Sequence, residues 1–454
     1  GEVVFKNPKK IPYYLPKKIG KKTRNWLERG IVSADSVVGS FFYEGPLRSF
    51  SGSSDTENTK LEANFFVQNL DLVFSSRWPR IEGINTVITF QNSNFKIINA
   101  TGFLNETKLS SINGEISNIF SKLPKLLLNG NITGSLDSFI EVSNNSPLEK
   151  WLWGVTKTAS GEGNTSLNLT LNLDLKKIKN SSFNGNLFFE NTEISFAENF
   201  LPLKEARGKI TFTNKLISKI DIKGELLGGN IEFTNVNKAS LKKGIFLSAK
   251  GEISGQKLEN WLTSNSEISI QEKIYGDTKY NSEIKLFKDF IEVQVSSNLE
   301  GITINLPYPL GKDSSKNLKL SGVFLQEKIL QDGVLNRTWN IRTNNGLLFL
   351  VNQAKSLSSQ NRIKLSKGNK FTLVIDDKKF SKITEKNLKD FPQQQSNKIS
   401  LHQTKIDLEN WKGLIYDANN SSINNFFNIL DNKNIKFDLF ADELKLGNKI
   451  FDNI

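Results

Sequence analysis

Residues 165–176 read TSLNLTLNLDLK, and this stretch contains the pattern that decides the fold. Polar side chains alternate with leucines at Leu167, Leu169, Leu171, Leu173 and Leu175. Because successive side chains of a β-strand point to opposite faces, this spacing predicts a strand with one apolar and one polar face. Burial of one leucine side chain is worth about 1.5–3 kcal/mol, so the apolar face requires a cover. A second sheet, a helix or lipid would provide one.

The composition restricts the chemistry that the chain can perform. It has 454 residues with no Cys and no Met, which excludes disulfides and thiolate chemistry. The missing initiator methionine predicts a processed chain or a segment of a longer protein. The net charge of +13 comes from lysines spread mainly over polar strand positions, so we expect no nucleic-acid partner. The sequence has no apolar run near the ~20 residues that a membrane-spanning helix needs.

Alternating segments recur through most of the chain, separated by turns rich in Gly and Asn. One of them is a strand predicted over residues 301–306. A capping box at Ser146 and Glu149, with Pro147 at the first helical position, predicts a helix over 146–155. The other short helices are predicted over residues 17–29, 256–263, 383–390 and 421–430. We interpret Trp26, Trp151 and Trp261, each on an apolar helix face, as core anchors, with ligand stacking as the alternative.

Two weak repeats suggest how the chain is organised. Residues 77–90 resemble residues 200–212, and Leu-Glu-Asn-Trp occurs at 258–261 and again at 408–411. We expect a mostly β protein, an elongated and twisted antiparallel sheet curled into an apolar groove, with a few short helices. It would have three continuous sections. They are residues 1–142 with a leading short helix, 143–264 opening with the capped helix, and 265–454, truncated at its C-terminal end.

The sequence contains no catalytic constellation that we can identify. His402 is the single histidine and lies in a strand-like run, where a polar-face position is the simplest interpretation. One histidine and no cysteine argue against a zinc site, and the sequence shows no Asp/Asn-rich calcium loop. Carboxylates are scattered, so a glycosidase pair stays open but unsupported. We therefore expect no enzyme, no metal and no cofactor.

Six longer motifs occur along the chain in a fixed order. They are LPKKIGKKTRNWLERGIV (15–32), RWPRIEGINTVITF (77–90), SPLEKWLWGVTKTASGEGNTSLNLTLNLDL (146–175), LPLKEARGKITF (201–212), SNLEGITINLPYPLGKDS (297–314) and KIDLENWKGL (405–414). In this order and spacing, the motifs resemble the middle of the YhdP family of AsmA-like proteins of Gram-negative bacteria. The resemblance covers essentially the whole chain.

The resemblance implies a bridge-like lipid transport protein. Such a protein is periplasmic and is anchored to the inner membrane by a segment not present here. It conducts phospholipid between the inner and outer membranes along its groove. The partners would be phospholipid acyl chains and, through regions outside this segment, the two membranes; protein partners stay open. The residues expected to line the groove are Leu167, Leu169, Leu171, Leu173, Leu175, Ile210, Phe212, Ile231, Phe233, Ile291, Val293, Val295, Ile302 and Ile304.

Two other functions compete with lipid transport. A structural or adhesive β-scaffold would have a closed, dry core, and its β-helical form would repeat every ~20–25 residues, a period that the sequence lacks. A polysaccharide-acting enzyme would bring carboxylates and aromatic side chains together in a cleft. Mass spectrometry of lipids extracted from the purified chain separates these classes from a lipid conduit.

Overall fold

A computed structural model describes residues 1–15, 20–45, 59–152, 155–157, 159–195, 201–235, 239–240, 244–265, 272–287, 290–308, 310–329, 334–356, 370–376, 397–407 and 435–454. In this part of the chain 64% of the residues lie in strands and 13% in helices, and the strands form a large antiparallel sheet that is open. The predicted fold class is therefore confirmed. The chain divides into two compact units: Gly1–Ile222 with Lys238–Lys242, and Lys223–Asn237 with Lys243–Ile454. The three predicted sections stay a prediction.

The strands are numbered in chain order. The first fourteen are β1 (Glu2–Val4), β2 (Ile31–Ser33), β3 (Ser36–Glu44), β4 (Lys60–Leu72), β5 (Ile81–Gln91), β6 (Asn94–Leu104), β7 (Thr107–Ile116), β8 (Lys125–Ser135), β9 (Ser160–Asp174), β10 (Ser182–Ser195), β11 (Leu203–Thr213), β12 (Leu216–Leu226), β13 (Gly229–Asn235) and β14 (Ala239–Ser240). The others are β15 (Ile245–Ser254), β16 (Ile274–Tyr275), β17 (Asp277–Leu286), β18 (Phe290–Ser297), β19 (Thr303–Ile304), β20 (Leu320–Ile329), β21 (Val334–Thr343), β22 (Leu347–Ser356), β23 (Lys370–Asp376), β24 (Asn397–Asp407), β25 (Ile435–Leu446) and β26 (Lys449–Asp452).

The first unit is an antiparallel meander. Each strand from β3 to β10 pairs with the next one along the chain. The short strand β1 pairs with β3, β2 pairs with β4, and the beginning of β12 pairs with β14. Short connections between sequential strands favour this antiparallel arrangement.

In the second unit, antiparallel pairs follow the order β13, β15, β17, β18, β20, β21, β22 and β23. The next two pairs, β23 with β24 and β24 with β25, are parallel, and β26 then returns antiparallel to β25. This departs from the antiparallel expectation. Parallel neighbours need a connection of roughly a dozen residues or more. Residues 377–396 and 408–434 provide connections of that length.

A separate two-stranded sheet of β16 and β19 lies outside this order. The strand predicted over 301–306 is limited to Thr303–Ile304 within it.

The helices are short. They are Ile11–Tyr14, Lys21–Gly30, Leu136–Asn144, Leu148–Trp151 and Gly255–Asn265, with 3-10 turns at Pro8–Lys10, Val155–Lys157 and Ile178–Asn180. The helices predicted over 17–29 and 256–263 are confirmed with shifted ends. The helix predicted over 146–155 is one turn, Leu148–Trp151, followed by a 3-10 turn. The helices predicted over 383–390 and 421–430 lie outside the described residues. Among the described residues, we find no helix with the length and apolar character required to cross a membrane.

The sequence analysis did not predict the helix Leu136–Asn144. Ser135 caps it, since its hydroxyl accepts a hydrogen bond from the Ser138 backbone N–H at 3.1 Å. The helix buries Val142 in a small core together with Leu104 and Leu109. This packing places the helix over one end of the neighbouring strands.

Candidate functional site: the apolar face of the sheet

In the first unit, strand register places Leu171 in a continuous apolar row. Leu171 faces Leu128 on β8 and Phe183 on β10. The row crosses nine strands without a polar side chain, at Val3, Gly39, Phe65, Ile88, Ile97, Gly114, Leu128, Leu171 and Phe183. Neighbouring strands are about 4.8 Å apart, so its eight intervals extend over about 38 Å.

Two parallel rows bring Leu169 and Leu167 together with other predicted residues, while Leu173 pairs with Leu126 on β8. The two rows are Gly130, Leu169, Gly185 and Phe212, and Ile132, Leu167, Leu187 and Ile210. Thus Ile210 and Phe212 lie on the same face as the leucines of β9.

The leucines of β9 are only partly covered by protein. Leu167, Leu169, Leu171 and Leu173 are all half-buried, and none of them belongs to the fully buried core. Leu175 lies one residue beyond the end of β9 and is 43% exposed, so it lies outside the strand on which we expected it. The middle of the apolar face therefore keeps contact with solvent.

Helical segments cover the apolar face at two places. The Trp151 ring lies 5.5 Å from the Phe183 ring and 5.9 Å from the Phe212 ring, which confirms Trp151 as an anchor on the sheet. Elsewhere, the core around Val142 packs against Ile132. Trp151 thus covers the β10 and β11 ends of the rows that contain Leu171 and Leu169, and the core around Val142 meets the row of Leu167 at Ile132.

The other two tryptophans differ from this pattern. Trp26 is 44% exposed, and its Nε1 donates to the Phe74 carbonyl at 2.9 Å, so the interpretation of Trp26 as a core anchor is wrong. Trp261 is half-buried on the helix Gly255–Asn265.

The opposite face of the same strands is polar. Asn168 pairs with Asn131 and Asn186, and Thr211 continues the row. The Thr211 hydroxyl donates to Asn186 Oδ1 at 2.7 Å. Side chains of this kind satisfy one another and water, so the sheet is amphipathic in the sense that the leucine pattern predicted.

The second unit has an apolar face of its own. Its longest described row runs through Phe233, Ala249, Ser282, Val295, Gly322, Ile341 and Phe349. The next row contains Ile284, Val293, Phe324 and Trp339. The rings of Phe324 and Trp339 lie 4.3 Å apart, and Phe324 is 6% exposed. Of the predicted lining residues, Phe233, Val293 and Val295 therefore share one face.

Ile291, two residues before Val293, also lies on this face, and the other three predicted residues of the second unit divide between this face and a separate element. Ile231 pairs with Gly251 on the same face and is 2% exposed. Ile302 and Ile304 do not lie on the large sheet. Ile302 is 1% exposed, and Ile304 lies in β19, opposite Ile274.

Polar groups interrupt the apolar face of the second unit. The Tyr280 and Ser282 hydroxyls are buried and have no hydrogen-bond partner among the described residues, and burial raises the pKa of Tyr280 to about 12. Arg337 on β21 lies opposite Gln326 on β20, and its Nε donates to Gln326 Oε1 at 2.9 Å. Burial lowers the pKa of the Arg337 guanidinium.

Sequence reasoning missed the strand that carries Arg337. Leu335, Trp339 and Ile341 alternate with polar residues and so carry a strand signal. Arg337 occupies an apolar position of this alternation and weakens the signal.

We find no cluster of three His, Cys, Asp or Glu residues arranged to hold a metal ion within the ranges that the structure describes. The His402 ring packs edge-on against Phe440, with the ring centroids 4.6 Å apart.

An open amphipathic β-sheet with a half-covered apolar face defines a β-groove protein. The chain belongs to the YhdP protein family, whose family model matches residues 1–454. This AsmA-like family is a transport family and is not known as an enzyme family. Among curated proteins and solved structures, no match to the chain is found.

Proposed function

We propose that this chain is a periplasmic segment of an AsmA-like protein that conducts phospholipid between the inner and outer membranes along the apolar face of its sheet. The observation that carries the proposal is the uninterrupted apolar row through Leu171, in which the central leucines are only half-buried. Acyl chains that lie on the sheet would complete the burial of these leucine side chains. Membership of a transport family supports the same function.

The energetics of the row suit an acyl chain. Burial of each CH₂ group is worth about 0.8 kcal/mol. An acyl chain that lies along the row therefore gains favourable transfer free energy at every strand that it crosses. A charged side chain in the row would impose a desolvation barrier, but this row has none from Val3 to Phe183. Its length of about 38 Å exceeds the ~30 Å hydrocarbon thickness of a bilayer.

The proposal includes a location and partners. The polar face with Asn168 and Asn186 meets the water of the periplasm, while regions outside this segment anchor the protein to the inner membrane and contact both membranes. The ligands are phospholipid acyl chains. This mechanism uses no nucleophile, cofactor or nucleic acid.

Lipid analysis tests the proposal. The chain is purified without detergent, and lipids are extracted and identified by mass spectrometry. We expect glycerophospholipid in amounts comparable to the protein, and further uptake from phospholipid vesicles. A soluble protein purified in parallel controls for contaminating lipid. A chain that contains no lipid and takes up none would have a closed, dry core, as the structural or adhesive scaffold requires, and the transport function would be rejected.

A further inference from the structure

The side chain of Arg337 places a positive charge on the apolar face of the second unit, where the apolar rows end. Arg337 and Gln326 face each other across β21 and β20, and the same row continues through Ile291 and Leu286. A guanidinium next to aliphatic side chains is unusual, because a charge with little water around it is unfavourable unless it is paired.

Arg337 lacks an anionic partner in the part of the protein that the structure describes. Its side chain is half-buried, and it forms no ion pair with any described residue. Gln326 accepts its Nε–H, but a guanidinium has five N–H donors. Among the described side chains these donors have no acidic partner, so an anion that arrives with a ligand would complete them; Gln353 on β22 is the strand neighbour of Arg337 on its other side.

Arg342 on the same strand provides a contrast. It follows Arg337 by five positions, an odd offset, so it lies on the opposite, polar face. Its Nε donates to Ser321 Oγ at 2.7 Å. The strand thus carries one arginine on each face, and Arg337 is the one that borders the apolar rows.

We propose that Arg337, with Gln326, binds the phosphate of a glycerophospholipid whose acyl chains lie on the neighbouring apolar rows. This inference rests on the proposed function. A guanidinium forms paired, charge-assisted hydrogen bonds with a phosphate; here Gln326 accepts the Nε–H of Arg337, and the phosphate would accept from the terminal NH₂ groups.

The apolar rows lie at fixed distances from Arg337, because each residue of a strand advances about 3.4 Å along it. The row of Phe324 and Trp339 lies one two-residue step from Arg337, about 7 Å along the strand. The row of Gly322 and Ile341 lies about 13 Å away. This order, with the anion at the end of the rows and aromatic and aliphatic side chains beyond it, matches a phospholipid from head to tail.

The test compares two ligands that differ only in the head. The purified chain is titrated calorimetrically with dioctanoylphosphatidylglycerol and with dioctanoylglycerol, which has the same chains but no phosphate. We expect Arg337→Gln to weaken binding of the phospholipid about 10- to 100-fold and to leave dioctanoylglycerol binding unchanged. Arg337→Lys keeps the charge but loses the paired hydrogen-bond geometry. Its affinity for the phospholipid should therefore lie between that of the parent and that of Arg337→Gln.

Arg342→Gln is the matched control, and it should change neither affinity. Arg337→Gln should melt no lower than the parent chain, because it removes a half-buried charge that has no ionic partner within the described ranges.

Three outcomes would overturn the inference. If Arg337→Gln binds the phospholipid as the parent does, the phosphate is held elsewhere. If this variant loses both ligands equally, Arg337 supports packing and not phosphate binding. In both cases the parent still binds lipid, and the proposed function stands. If the parent binds neither ligand, the inference and the proposed function both fail.

Discussion

Replacement of Leu171 by aspartate tests whether the apolar face of the first unit is a lipid track or an ordinary core. Leu171 lies in the nine-strand row between Leu128 and Phe183. Its side chain is half-buried. An aspartate there keeps contact with water when lipid is absent, but it presents a charge to an acyl chain that moves along the row.

The two possibilities differ in magnitude. In a closed core, Leu171→Asp would lose the ~1.5–3 kcal/mol of leucine burial and also bury an unpaired carboxylate, for a total above about 4 kcal/mol. On a half-covered face, a fraction of the leucine burial is lost and the carboxylate stays hydrated. We therefore expect the free energy of unfolding to fall by about 1–2 kcal/mol, and the melting temperature by about 2–8 °C.

The assay measures melting by calorimetry and bound lipid by mass spectrometry for the parent and two variants. Asn172→Asp is the control, because Asn172 is exposed on the opposite face of the same strand. We expect Leu171→Asp to lose bound lipid with a small loss of stability, and Asn172→Asp to change neither. Collapse of the Leu171→Asp fold, together with a lipid-free parent, would refute the reasoning and show that this row lines a dry core.

Three further predictions concern single side chains. Tyr280→Phe should raise the free energy of unfolding by about 1 kcal/mol, since it removes a buried hydroxyl that no described residue satisfies. Because the folded-state pKa of Tyr280 is raised to about 12, its ionisation opposes folding, so the free energy of unfolding of the parent is unaffected below the unfolded-state pKa of about 10 and falls as the pH rises to 12. Melting curves from pH 9 to 12 should therefore fall more steeply for the parent than for the variant. Glu259→Ala should lower the free energy of unfolding by about 2–4 kcal/mol, since the buried Glu259 carboxylate accepts the backbone N–H of Ile274 at 2.7 Å and that of the preceding residue at 3.0 Å. Chemical denaturation measures the loss, and Glu259→Gln, which keeps one acceptor oxygen, should lose less. Trp151→Ala should lower the free energy of unfolding by about 2–3 kcal/mol, because the variant loses the contact with the Phe183 ring. Lipid uptake by this variant should be retained, and abolished uptake would make Trp151 part of the lipid track.

Local pattern predicted elements where the pattern was strong. The alternation in β9 and the apolar stripe of Gly255–Asn265 both correspond to elements of the structure. The stripe over 146–155 predicted a longer helix than the single turn Leu148–Trp151, and the contact of Trp151 with two rings of the sheet determines the path of this segment. Periodicity describes which side chains share a face. It does not show how far a helix continues when contacts with the sheet favour another backbone path.

Other elements were missed because their local signals are weak. Strand β21 carries Arg337 in its apolar phase, and its place depends on pairing with β20 and β22. The helix Leu136–Asn144 depends on burial of Val142 against Leu104 and Leu109. In each case the partners that stabilise the element come from other parts of the chain.

The two-faced character of the strands follows from the amino-acid pattern alone, because the two-residue period of side chains is a local property of an extended backbone. The same pattern also determined which leucines of β9 share a face. The tertiary structure decided which residues meet across strands: that Leu171 continues a row from Phe65 and Leu128, that β23 to β25 are parallel, and that Arg337 lies beside Gln326. Register depends on cross-strand packing between residues distant in the chain, and no local pattern encodes it.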